Sequence, residues 1–319
     1  MQNLLKYAKF LKKKIQDNNQ IYFKYAQNNS IKGETYRSFK RVNKYFDKNH
    51  LIKEGGKRTK GFFRKDIKNK PLISIITVVL NHKKDLENTL KSIILQKYDN
   101  LEIIIIDGGS NGSVISKIRK YENYIDYWIS QKDFGIWDAW NKGIKLASGS
   151  FICFLNVGDY FTENSIKLIV KKINKKKNLD IVFGTVLKKK TFSGFYPDKI
   201  NRRLNIFPSF VSTFVNKNIY KKFGLFNLEY RYFNDYEFIY RVLKNKKLIW
   251  DTTSKNEIIT VFDLKGFSSS MTLSNKLQEE FKIRQKYENI FMLFLKIFLK
   301  MFSYFFTKIF LRDKYLKYN

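Results

Sequence analysis

With 319 residues and a hydrophobic content of 44%, the chain can bury a full core and is not wholly disordered. Its 62 Lys and Arg against 28 Asp and Glu give a formal net charge of +34, which points to nucleic acid, anionic lipid or a phosphorylated substrate as partner. A single cysteine excludes an intrachain disulfide or a cysteine-rich zinc site, and two histidines argue against a His-based triad or His-rich metal centre.

Residues 1–70 hold 20 Lys and Arg against 5 Asp and Glu, a net of +15. Leu4, Leu5, Tyr7, Phe10 and Leu11 fall at mixed helical spacing, and a Gly/Lys-rich stretch, Gly55–Lys70, follows. Residues 1–69 are therefore expected to form a basic helical arm and linker. Met1–Phe10 runs into a Lys cluster without the apolar core of a signal peptide. Cys153, inside an apolar run, favours a reducing compartment.

From Pro71 the pattern alternates strand and helix. Leu72–Leu80 ends at Asn81, Leu101–Ile106 at Asp107, and Phe151–Leu155 at Asn156 with Asp159 just beyond. Runs this apolar on consecutive positions suit strands buried on both faces, as in a parallel sheet covered by helices. Further strands are expected at Ile125–Ser130 and Asp180–Thr185. Helices are expected at Asp85–Leu95, Ser113–Tyr121, Ile136–Leu146 and Asn164–Lys175, which makes βαβ units with right-handed crossovers. Beyond Lys188 the signals are a hairpin-like piece at Thr191–Tyr196 and helices near Lys217–Phe223 and Asp235–Lys244. The end, Leu277–Asn319, reads as helical and strongly apolar.

In such a sheet the carboxyl ends of the strands open onto the binding crevice, so Asp107 and Asp159 are expected on one rim. The turn Asp107-Gly108-Gly109-Ser110-Asn111-Gly112-Ser113 follows a buried strand and opens a helix. Its glycines allow a close ligand approach, although an ordinary turn with Ser110 or Asn111 as N-cap reads the same way. A Rossmann dinucleotide site would place its Gly-rich turn after the first strand, where Asn81-His82-Lys83-Lys84 stands instead. No P-loop is present.

The segment from Ser130 to Ile144, SQKDFGIWDAWNKGI, is the most specific text in the chain. Asp133 lies just past a strand. Gly135 frees the backbone before a helix whose first turns carry Asp138, Asn141 and Lys142 toward the crevice. Trp137 and Trp140 are read as packing. Further on, Asp159 follows a buried strand, and one or two carboxylates plus substrate phosphates are what Mg²⁺ commonly takes.

Three blocks then carry a resemblance: Asp107–Ser110 (DGGS), Ser130–Ile144, and Phe154–Asp159 (FLNVGD). Residues 71–262 resemble the GT-A fold of family 2 glycosyltransferases, especially the bacterial polysaccharide and lipopolysaccharide group related to colanic acid enzymes. That group is marked by a D-G-G-S turn, an S-E-x-D-x-G-I-Y-D-A-M-N-K-G-I block and an F-L-N-S-x-D strand end.

The resemblance implies an α/β fold with a nucleotide-sugar-binding mixed sheet flanked by helices. It implies an inverting glycosyltransferase using a divalent cation, Mg²⁺ or Mn²⁺. Asp107 and Asp133 should contact the donor nucleoside, with Gly108, Gly135, Asn141 and Lys142 in the same donor region. Asp159 should be the metal carboxylate, supported by Asn156. Asn234-Asp235-Tyr236-Glu237 resembles the family's acidic motif, which makes Asp235 the expected catalytic base. Gly158 stands where many relatives carry a first Asp, leaving fewer protein oxygens for the metal.

The expected layout is an arm at 1–69, a catalytic domain at 70–265 (donor-binding half 70–188, acceptor-side half 189–265) and a membrane-associating tail at 266–319. In Ile290–Leu311, Lys296, Lys300, Ser303 and Thr307 make one narrow polar stripe amid Phe, Leu, Ile and Met. Lysines interrupting the stretch favour an interfacial helix on anionic headgroups over a spanning one; a helix docked on protein is the alternative. The expected partners are a nucleoside-diphosphate sugar, a glycan or lipid-linked acceptor and an anionic membrane surface, without nucleic acid. The expected location is peripheral, on the inner face of the cell membrane. Two other readings stay open: a non-enzymatic basic protein binding anionic membrane or nucleic acid, and another nucleotide-sugar enzyme such as a nucleotidyltransferase. Because the named carboxylates precede Leu277, a cut before that residue is expected to leave a soluble protein that still hydrolyses donor.

Overall fold

The computed structural model describes residues 53–188, 194–195, 210–244, 248–262 and 272–288. Four strands form its parallel centre: β2 (Ile73–Val79), β3 (Leu101–Asp107), β4 (Tyr127–Ser130) and β5 (Phe151–Phe154). β1 (Lys53–Gly55) pairs antiparallel with β4. β10 (Thr213–Asn216) runs antiparallel between β5 and β7 (Ile181–Phe183), and β11 (Trp250–Thr252) lies parallel on the far side of β7. The order across this mixed sheet is β1-β4-β3-β2-β5-β10-β7-β11. A second sheet joins β6 (Tyr160–Phe161), β8 (Thr185–Lys188), β9 (Gly194–Phe195) and β12 (Ile258–Phe262) in the order β6-β12-β8-β9.

The apolar runs have a direct cause. Alternate residues of one strand enter two different cores. Ile73, Ile75, Ile103 and Ile105 pack beneath α1 (Lys83–Ile94), α2 (Gly112–Lys120) and α4 (Ser165–Lys175). Ile76, Ile104 and Ile106 pack on the other face, beneath α3 (Ile136–Leu146), α5 (Lys217–Phe223) and α6 (Asn234–Leu243). All seven residues of β3 are buried, Asp107 included.

Two expectations are corrected. The strand Asp180–Thr185 splits at Gly184: β7 stays in the central sheet while β8 crosses to the second. A Cβ at Gly184 would stand 2.2 Å from Ser212 Oγ, so the crossing needs glycine. The expected linker Gly55–Lys70 is instead an edge strand, a 3₁₀ turn at Lys57–Lys60 and a packed return. Its glycines serve packing, because Trp128 and Glu122 fill the space where a Gly55 side chain would go, and Gly56 holds φ +100°. Arg58, 2% exposed, pairs with the fully buried Glu102.

The rest of the arm, residues 1–52, lies outside the described residues, as does the stripe of Ile290–Leu311. The last described helix, α7 (Leu273–Arg284), packs on α6. Among the described residues, no helix is long and apolar enough to cross a membrane.

Candidate active site

β3 delivers Asp107 to the carboxyl end of the sheet with its carboxylate fully buried. Oδ2 accepts from Ser130 Oγ at 2.5 Å, from Ser110 N at 2.9 Å and from Gly109 N at 3.2 Å. That oxygen ties the turn to the end of β4. The other, Oδ1, is buried and has no hydrogen-bond partner, a costly state that calls for a hydrogen-bond donor. Asn111 caps α2 through Ser113 N at 3.2 Å, so the ordinary capping reading of this turn also holds. Asn81, in the left-handed region, latches the turn from β2: its Oδ1 accepts from Asn111 N and its N–H donates to Ser110 Oγ.

The Asp133 turn meets the Asp107 turn directly. A Cβ built on Gly108 would lie 2.5 Å from Asp133 Oδ2. Glycine therefore lets two carboxylate-bearing loops touch. Asp133 Oδ1 accepts from Gly135 N at 3.0 Å, and Gly135 needs its φ of +110° to turn into α3. Burial raises the Asp133 carboxyl above its ordinary range. The Gly135 amide and Lys142 oppose the rise, while the charges of Asp138 and Asp107 add to it. Lys142 reaches Asp138 at 3.1 Å and the Lys132 carbonyl at 3.1 Å, close enough to influence Asp133. Phe134, between Asp133 and Gly135, is 94% exposed.

Asn141 packs inward. Its Nδ2 donates to Phe226 O at 2.9 Å and its Oδ1 accepts from Phe226 N at 3.0 Å. Both ends of the amide hold the loop ahead of α6, a structural role that the sequence reading did not include. Lying 7% exposed and aimed inward, it belongs to the packed face of α3. Trp137 and Trp140 pack as expected: Trp140 stacks on Phe154 at 4.0 Å, within a cluster including Phe210 and Phe226. Their indoles also orient neighbours. Trp140 Nε1 donates to Asn156 Oδ1 at 3.3 Å, and Trp137 Nε1 to Arg231 O at 2.8 Å.

Asp159 closes a tight turn past β5, its N–H on Asn156 O at 3.1 Å. Thr89 of α1 anchors this turn: its hydroxyl donates to Asp159 O at 2.8 Å and accepts from Gly158 N at 3.1 Å. Gly158 holds φ +102°, with open space where a side chain would be. Among the described residues, no group of three or more His, Cys, Asp or Glu could hold a metal ion by itself. Asp159 itself is 7% exposed, and the open space lies at Gly158, where the expected first Asp is absent.

Asp235 lies in the first turn of α6. Trp137 and Asn141 join this region to α3. Half-buried, its carboxyl is pushed up to about 6 by desolvation; backbone N–H groups, among them Tyr236 N at 2.8 Å, oppose the rise, and the charge of Glu279 adds to it. The neighbouring Glu237 is engaged by Arg241 at 3.1 Å and by the Tyr287 hydroxyl. The sequence reading does not single out Thr89 or Glu279, which anchor the Asp159 turn and the turn ahead of α6. Thr89 looks like one more buried position on α1, and Glu279 comes from a helix far along the chain.

Fold and site together define an α/β protein whose ligand crevice lies at the carboxyl ends of parallel strands, where such sheets bind nucleotides. The sequence profile described as "Glycosyl transferase family 2" matches residues 74–234, and the chain belongs to that family. It is similar to an uncharacterized glycosyltransferase of Mycobacterium tuberculosis, 28% identical over 208 residues covering 62% of this chain and 78% of the relative. A PGL/p-HBAD biosynthesis glycosyltransferase of Mycobacterium bovis is 28% identical over 187 residues, 56% of this chain and 72% of that one. Among solved structures, S. aureus TarS 1-349 in complex with UDP-GlcNAc superposes with a TM-score of 0.57 at 16% identity, over 66% of this chain and 65% of that one. The chain thus spans slightly less than two thirds of that TarS fragment. A mannosyltransferase of Pyrobaculum calidifontis in complex with GDP-Man and Mn²⁺ gives 0.53 at 14% identity, over 83% and 72%. The fold is GT-A, and the protein is a glycosyltransferase.

Proposed function

We propose that the protein transfers a sugar from a nucleoside-diphosphate sugar to a hydroxyl of a glycan or lipid-linked acceptor, with inversion at the anomeric carbon, in surface polysaccharide synthesis. The observation that carries this reading is the family 2 match over residues 74–234; within it Asp235, a desolvated carboxylate at a helix start pushed up to about 6, suits a general base working near neutral pH. Nucleotide-sugar complexes of TarS and the mannosyltransferase support the donor class by analogy of fold.

In this reading the Asp107 and Asp133 turns bind the nucleoside, Asp133 standing partly exposed and Asp107 fully buried. Lys142 balances the charge of Asp133 and Asp138. Asp159, steadied by Thr89 and Asn156, would hold a divalent cation. Bound there, the cation would offset charge developing on the leaving diphosphate. Asp235 takes the proton from the acceptor hydroxyl as its oxygen attacks the face opposite the leaving group. The clamps of Trp137 and Asn141 keep donor helix and base helix in one geometry, as in-line attack requires. We place the protein on the inner face of the cell membrane, held by the basic and apolar tail. A panel of nucleotide sugars, assayed for nucleoside diphosphate release with Mn²⁺ and with EDTA, tests the reading. Release from one donor class only with metal is expected; no release from any donor, with or without a lipid-linked acceptor, would count against it.

A further inference from the structure

The start of α6 lacks the usual cap, since its N-cap residue Phe233 makes no side-chain hydrogen bond. The amides ahead of it are met from another helix. Glu279 of α7 accepts from Tyr232 N at 2.9 Å and 3.2 Å through its two oxygens, from Phe233 N at 3.2 Å, and from Arg231 N. Three consecutive N–H groups converge on one carboxylate, an anion nest placed where the helix dipole also favours negative charge. The carbonyl side of this turn is held by Trp137 of α3 through Arg231 O, and Asn234 holds Asn227 from within. Asp235 is the next residue along.

We propose that Glu279 is a positioning residue for the Asp235 base: it fixes the backbone that aims Asp235 and supplies the fixed negative charge beside which that carboxyl works. This rests on the reading of Asp235 as the base. Other charged groups in the neighbourhood are engaged among themselves. Glu237 pairs with Arg241 at 3.1 Å within α6, and Glu280 pairs with Arg284 at 2.7 Å within α7. Arg284 also donates to Tyr236 OH, Tyr240 OH donates to Glu288, and Arg231 lies over the Tyr232 ring. Glu279 is the neighbour whose charge raises Asp235.

The test uses the full chain and the nucleotide sugar that the donor panel identifies, comparing E279Q, E279A, E280Q and D235N. E279Q removes the charge and turns one accepting oxygen into an NH₂ that faces backbone N–H groups, so the acid limb of its kcat profile should move to lower pH by roughly 0.5 unit and amide exchange across residues 231–233 should accelerate. E279A should lose about tenfold in kcat with donor KM within about twofold, and amide exchange across residues 231–233 should accelerate. E280Q should match the wild type in all three. If E279A does not fold, E279Q carries the decision. An unmoved acid limb and unchanged exchange in E279Q and E279A, while D235N loses turnover, would overturn the proposal and leave the base assignment standing. Full turnover in D235N would overturn the base itself.

Discussion

Asp235 shows how one desolvated carboxylate links stability to chemistry. Its folded value of about 6 lies above the ordinary aspartate range, so between roughly pH 4 and 6 the native state binds the proton more tightly than the unfolded chain does. Stability contributed by that proton is present at low pH and is lost as pH rises through about 6. Asp235→Asn should therefore raise the melting temperature at pH 7.5, by the equivalent of about 1–2 kcal/mol, and leave it nearly unchanged at pH 4. The same variant should reduce kcat by about 10²–10⁴ with donor affinity kept, the usual worth of a general base. Wild-type kcat should rise with pH through the same region. A stabilised variant that retained its turnover would make the carboxylate a bystander. Asp159→Ala keeps the backbone bonds to Thr89 and Asn156 that hold its turn. It should abolish Mn²⁺-dependent donor binding by calorimetry, and thermal melts of the same variant separate that loss from any contribution of the buried side chain to the fold. Unchanged donor affinity would remove Asp159 as the metal carboxylate.

At the scale of elements, the proposed donor site rests on two turns that touch through a missing side chain. Gly108→Ala places a methyl 2.5 Å from Asp133 Oδ2, while the Gly108 backbone needs no left-handed conformation. The carboxylate must swing, so donor Kd should rise by about tenfold or more, with stability changed by less than about 1 kcal/mol. Titration with donor and thermal melts of the same variant check both halves. This turn was readable because Asp107, Gly108, Asp133 and Gly135 are local punctuation between apolar runs. The helix Ile136–Leu146 was found to the residue for the same reason: Gly135 starts it, and its periodicity is strong. What could not be read was long-range. Nothing within the sequence around Asn141 says that its amide will close on the Phe226 backbone. Nor does a run such as Asp180–Thr185 announce that Gly184 will send its end into a different sheet, because the cause, Ser212, arrives later in the chain. Gly55 misled for a related reason: a glycine emptied for a distant tryptophan looks like a linker glycine.

Among the described residues, the packed part of the chain reaches beyond 70–265 on both sides. At the amino side, Arg58 reaches Glu102 in the sheet and donates to Leu146 O at 2.7 Å and Ser148 Oγ at 2.7 Å, while Glu102 also accepts from Ser74 Oγ at 2.5 Å and Ser148 N at 2.8 Å. Arg58→Met would leave a buried carboxylate uncompensated and should destabilise by about 3–5 kcal/mol, read by urea unfolding. At the carboxyl side the helix α7 changes where the chain can be cut. A cut before Leu277 leaves Asp107, Asp133, Asp159 and Asp235 in place. It removes Glu279, however, together with Arg284, Tyr287 and Glu288, all of which bond to α6 or the turn before it. The shortened chain should therefore lose turnover through a loosened base helix, contrary to what the positions of the carboxylates alone imply. A cut after Glu288 keeps those bonds, and that protein should retain donor turnover. If the stripe of Lys296, Lys300, Ser303 and Thr307 lies in a membrane interface, the full chain should pellet with anionic vesicles, and salt should weaken that association without ending it, since apolar burial survives screening. The chain cut after Glu288 should stay in the supernatant. Vesicle binding that persists undiminished after the cut would place the membrane contact elsewhere in the molecule.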